Sequence, residues 1–108
     1  MTDTATMEYS ELLKEHDERV KKYEDEFKHG KDKINKMLND FSRNAEKDAS
    51  IIAIEFGQQS ANIYMDAVES ARAQMYKDGM EVIEGIYNRS MATENLIMFG
   101  ITELYGAK

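Results

Sequence analysis

The amino-acid sequence predicts an all-α protein, a long coiled-coil-like helical hairpin with a short C-terminal helical segment. Three observations carry this. The 108 residues contain no proline, and charged residues make up 32% of the chain. The composition favours Ala, Glu, Lys, Met and Ile, all compatible with helix. No run alternates at period two, so no sheet is expected. Leu13, Val20, Phe27, Ile34 and Phe41 lie seven apart, as the a positions of a heptad do.

The first helix is expected over about 6–38, after a disordered stretch at 1–5. Its d positions are Tyr9, His16, Tyr23, Gly30 and Met37, a poorer seam than the a row. In a parallel dimer the flanking charges would set Arg19 against Glu24 of the partner copy and Glu26 against the partner's Lys31. Asn39, Asp40, Ser42 and Asn44 are turn and cap formers, which places a turn near 39–44. The alternative is one continuous helix, since Phe41 keeps the heptad.

A second helix is expected over about 45–90, with Ile54, Ala61, Val68, Met75 and Val82 as a and Gly57, Tyr64 and Ala71 as d. A further row, Tyr76, Met80, Ile83, Tyr87 and Met91, widens its apolar face. Asp78-Gly79 reads as a turn with Glu81 completing a capping box, yet the heptad runs across it, so a break at 78–79 stays open. A last helix is expected over about 93–105, capped by Ser90 or Thr93 and closed at Gly106. The whole chain reads as one α-helical domain.

The charge is unevenly divided. Residues 1–48 hold 13 acidic and 10 basic side chains, residues 49–108 hold 8 and 4, and the formal net charge is −7. That balance disfavours nucleic acid as a partner. No apolar run approaches the roughly 18 residues of a membrane span, and no membrane partner is expected. The first ten residues, MTDTATMEYS, lack the basic and apolar regions of a signal peptide. The expectation is a cytoplasmic protein, with a signal-peptide-independent route of secretion left open.

Chemistry is sparsely encoded. Cysteine is absent and there are two histidines, so thiolate metal sites and disulfides do not arise. Glu26 and His29 have the Glu-x-x-His spacing of di-iron bundles, but the heptad puts both away from the inward face. His16 is a seam residue, either a pH-sensitive contact or a tolerated half-exposed side chain. No nucleophile elbow, phosphate loop or zinc spacing is present. The expectation is a non-enzyme without cofactor or metal.

The stretch LIMFGITELY, 96–105, carries one charge, Glu103. Its apolar residues cover most of a helical circumference, so it is to be buried by its own bundle, by an identical subunit or by a different protein. The candidate interface is Leu96, Ile97, Phe99, Ile101, Leu104 and Tyr105, extended by Met80, Ile83, Tyr87 and Met91. Methionine is adaptable and frequent on surfaces that accept other helices. A homo-oligomer, dimer or higher, that completes the bundle is expected, with a heterologous protein as a further partner.

The functional expectation is a helical protein-binding module, a small acidic adaptor or chaperone. Two alternatives stand beside it: a self-assembling structural or secreted helical subunit, and an acidic inhibitor, such as phages encode, that blocks a basic surface. In size, acidity and heptads the chain is similar to the small helical chaperones and hairpin substrates of bacterial secretion systems. The Trp-x-Gly turn of the small type VII substrates is missing, because the chain has no Trp. No residue role is carried over.

Overall fold

A computed structural model describes the backbone of residues 2–106 and the side chains of residues 8–105. Helix α1 spans Thr2–Phe56 and helix α2 spans Gln58–Ile101, followed by a π-helical turn, Thr102–Gly106. Among the described residues only Gly57 is outside a helix. The chain divides into two compact units, Gly30–Ile83 and Met1–His29 with Glu84–Lys108.

The unit Gly30–Ile83 is a helical hairpin that reverses at one residue. Gly57 has φ +98°, the only positive φ described. That conformation puts Cβ of an L residue against the backbone, and glycine has none. The reversal keeps its hydrogen bonds: Gly57 N donates to the Ala53 carbonyl at 3.1 Å, and Ala61 N donates to the Gly57 carbonyl at 3.3 Å. Gly57 was expected as a small d residue of the second helix; it is the turn. Ile54, expected in that seam, lies on α1 and points into solvent.

The turn expected at 39–44 does not form. Asn39, Asp40, Ser42 and Asn44 lie inside α1. Each costs a few tenths of a kcal/mol in helix propensity, less than the packing of their neighbours returns, for Leu38 and Ala45 are buried and Phe41 is half-buried. Two of these polar residues find partners: Asp40 pairs with Arg43 on the same helix, and Asn39 Oδ1 accepts from Arg72 of α2 at 3.4 Å. The break at 78–79 is likewise absent. Asp78 accepts from Gln74 at 2.8 Å, and Gly79 serves close approach instead, since a Cβ there would lie 3.0 Å from Ile34 Cδ1. Gly30 is placed in the same way against Ile83.

The core of this unit is Leu38, Ala45, Ala61 and Val68. Its small residues let the helix axes approach closely. The heptad holds at Ile34 but drifts beyond it: Met37, an expected seam residue, is 63% exposed, and Leu38 is buried in its place. On α2 the same drift leaves Ala61 and Val68 inside and turns Met75 and Val82 outward. A straight helix of 3.6 residues per turn gains about 20° per heptad on a 3.5 repeat. With about 100° between successive residues, the inward position therefore moves one residue along after about five heptads.

The N-terminal stretch 2–5, expected as disordered, is helical, and residue 1 lies outside the described residues. The separate C-terminal helix is replaced by continuous α2. Thr93, a proposed cap, donates from Oγ1 to the Arg89 carbonyl at 3.0 Å within the helix. Gly106, expected to close the last helix, ends the π-helical turn.

Gly57→Ala is expected to lower stability by about 1 kcal/mol, because Ala is strained at that φ. Gly85→Ala, in a helix interior with open space where the Cβ would be, is expected to raise it by roughly 0.5–1 kcal/mol. Urea unfolding followed by circular dichroism measures both. Equal effects of the two changes would contradict the turn at Gly57.

Candidate interaction face

The face is built within the unit Met1–His29 with Glu84–Lys108. Here α1 and α2 meet in three layers. Tyr9 and Tyr105 pack with their rings tilted and centroids 5.5 Å apart, and Phe27 and Tyr87 likewise with centroids 5.2 Å apart. Between them lies Glu94, whose side chain is 1% exposed. Its Oε1 accepts from Arg19 Nε at 2.6 Å, and its Oε2 lies 2.8 Å from His16 Nδ1. Arg19 also reaches Glu15 at 4.0 Å.

A buried carboxylate is tolerated only when paired. The Arg19 hydrogen bond is the chief reason that the Glu94 carboxyl is held below its ordinary range; His16 adds to it, and burial opposes both. The same bond pushes the Arg19 guanidinium upward. Both carboxylate oxygens are engaged. The seam position expected for His16 holds, with Glu94 as its partner. Arg19 was expected to face Glu24 of a partner copy; its guanidinium is taken by Glu94. Glu26, expected to face the partner's Lys31, has Lys22 at 3.9 Å.

Glu94 sets the rotation of α2 in this unit. Tyr87, Met91, Met98, Ile101 and Tyr105 share its side of the helix and are buried or half-buried. Leu96 follows Glu94 by two residues, about 200° further round, and is 73% exposed. Phe99 is 65% and Leu104 69% exposed, with Ile97 less so.

The ten expected interface residues therefore fall into two groups. Leu96, Ile97, Phe99 and Leu104 form an uncovered apolar face. Ile101 is 6% exposed and packs inside its own chain. Tyr105 and Tyr87 are held by their aromatic partners, and Tyr105 also donates to Glu8 at 3.4 Å. Met91 is half-buried on the inward side. In the other unit Met80 and Ile83 are also half-buried, Ile83 against Gly30. Of these inward residues Ile101 is covered by its own chain, and the others are covered by it in part.

Glu94 was missed by sequence reasoning. The signal was present: it sits alone among Tyr87, Met91, Met98, Ile101 and Tyr105 at spacings of three and four. A carboxylate on an apolar row needs a cation opposite. A second uncovered apolar group was also missed. In the unit Gly30–Ile83, Ile51, Ile54, Phe56 and Ile63 are exposed around the turn.

Glu26 and His29 lie exposed on the outer surface of α1, beside Glu18, Lys21, Lys22 and Asp25. No group of three His, Asp or Glu side chains suited to a metal ion occurs among the described residues. No described helix is long and apolar enough to cross a membrane. Compared with protein-family models, curated proteins and solved structures, the chain matches none.

Glu94→Gln keeps the shape and removes the charge, and is expected to cost about 2 kcal/mol at pH 7, the scale of charge-assisted hydrogen bonds. The folded carboxyl titrates below the unfolded one, whose ordinary value is 4.5. Its contribution is thus complete above that pH and lost as pH falls through the lower folded value, because the unfolded chain takes up the proton first. Urea unfolding of both proteins should show a gap that shrinks as pH falls below about 4.5. A gap independent of pH would show that the Glu94 charge contributes nothing.

Proposed function

We propose that the protein is a non-catalytic helical protein-binding module, an adaptor or chaperone that works by helix-in-groove recognition. One observation supports this above the rest: the Glu94 anchor leaves Leu96, Phe99 and Leu104 outside, on a stretch with one charge. Exposed apolar clusters on a helix are contact surfaces far more often than idle ones. The mixed charges of α1 keep such a molecule dispersed while the α2 face is open. Affinity then comes from apolar burial and is nearly insensitive to salt. An acidic inhibitor of a basic surface would lose binding steeply as salt screens it.

A second reading, a self-assembling structural or secreted subunit, draws support from the exposed Ile51, Ile54, Phe56 and Ile63. Two distinct apolar surfaces on one chain permit head-to-tail contacts, which grow open-ended. Filaments that appear with rising concentration would favour that reading.

The variants Leu96→Asp and Ile101→Asp separate surface from core. Leu96→Asp should keep the helical content and lose protein binding, read as suppression of aggregation of a heat-denatured reporter enzyme at low and high salt. Ile101→Asp should unfold the protein, because it buries an unpaired charge at a cost of about 3 kcal/mol or more. If Leu96→Asp protects the reporter as well as the parent does, the α2 face is not the binding surface.

A further inference from the structure

The outward side of α2 and of the π-helical turn after it has an internal order between residues 89 and 103. Arg89, Leu96 and Glu103 lie seven apart; Arg89 and Leu96 share nearly one line of α2, and Glu103 is the second residue of the π-helical turn that follows it. Arg89 and Glu103 are exposed, and among the described residues neither forms an ion pair. Arg89 Nε reaches only the Gly85 carbonyl of its own helix, at 3.4 Å. Four residues to either side of Leu96 stand Ala92 and Gly100, and three to either side stand Thr93 and Phe99. The Thr93 hydroxyl is bonded within the helix, so its methyl group is free for apolar contact.

This arrangement is self-complementary when read antiparallel. Two copies of the segment crossing at Leu96 set Arg89 against the partner's Glu103, Ala92 against the partner's Gly100 and Thr93 against the partner's Phe99. Each pairing occurs twice about a two-fold axis. A parallel crossing instead sets Arg89 against Arg89 and Glu103 against Glu103, which repel. We infer that this face of α2 binds a second copy of the chain, α2 against α2 antiparallel, with Leu96 on the two-fold axis. The inference rests on the protein-binding reading of the same face and names its partner.

The chemistry agrees at each layer. Leu96 meets its own counterpart at the centre, where water is excluded most completely. Ala92 and Gly100 lack side-chain bulk, so the axes can approach toward the lower end of the usual 8–10 Å. The charge pairs close the contact about 10 Å on either side of the centre, where they contribute orientation more than affinity. The inward side of α2 takes no part, because Glu94 and Ile101 are already covered.

The test uses the full chain, which has no cysteine. Leu96→Cys therefore introduces the only thiol. On a two-fold axis that thiol faces itself, and mild oxidation should convert most of the protein to a disulfide-linked dimer. Thr102→Cys, exposed at the start of the π-helical turn and away from Leu96, should link at least tenfold more slowly. Arg89→Glu and Glu103→Arg should each weaken the dimer about tenfold by sedimentation or light scattering. The double variant Arg89→Glu/Glu103→Arg should return to within about threefold of the parent. Helical content by circular dichroism confirms that each variant is folded.

A parent that stays monomeric at all concentrations would overturn the inference and leave a heterologous partner for the same face. A dimeric parent whose Leu96→Cys links no faster than Thr102→Cys, or whose charge reversals add instead of compensating, would also overturn it. That result would place self-association elsewhere without touching the protein-binding reading. Fast linking together with charge rescue would establish it.

Discussion

Glu94 between Arg19 and His16 is the interaction on which the arrangement around it depends. Hydrophobicity alone does not choose which side of the last helical turns, from Met91 to Tyr105, faces α1. Met91, Met98, Ile101 and Tyr105 on one side are matched by Leu96, Ile97, Phe99 and Leu104 on the other. The carboxylate breaks the tie. Turned outward, it would leave the flanking Arg19 and the seam residue His16 of α1 without their acceptor; turned inward, both its oxygens are satisfied. Buried ion pairs often add little net stability compared with an apolar replacement, and specification of register is one of their better-attested uses. Here the register decides which apolar residues are left uncovered.

The second constraint is pitch. Long apolar rows at seven-residue spacing suit a supercoil, and a nearly straight helix carries such a row around its surface. On α2 the row that begins at Ala61 and Val68 as core continues to Met75 and Val82 as surface, and the row through Ile83 and Tyr87 takes its place. α2 therefore has more apolar surface than one neighbouring helix can cover. Among the described residues only Leu38, Ala45, Ala61, Val68 and Ile101 are buried hydrophobics. That core is thin for helices of 55 and 44 residues, and the exposed apolar residues of both units follow directly from it.

Much of the candidate face was legible. The stretch 96–105 is apolar around most of its circumference, and that alone marks it as needing cover. The division into a covered and an open side was not legible, because it depends on Glu94, a residue that looks ordinary until Arg19 and His16 stand opposite it. The turn was misplaced for a related reason. Asn39, Asp40, Ser42 and Asn44 are stronger local turn signals than a lone Gly57, yet local preferences of a few tenths of a kcal/mol yield to the packing of Leu38 and Ala45. Gly57, flanked by exposed Phe56 and Gln58, has no core contact to lose at the reversal.

By itself the sequence determined the all-helical class, the inward row from Leu13 to Phe41 and the apolar character of the C-terminal turns. These are properties of periodicity and composition, which act along the chain. Only the tertiary structure decided where the chain reverses, which of the two apolar sides of α2 is spent on α1, and that Gly30 and Gly79 are sites of close approach. Those outcomes depend on pairings between residues dozens of positions apart. Their energies come from desolvation and steric fit, and neither exists until the two helices are side by side.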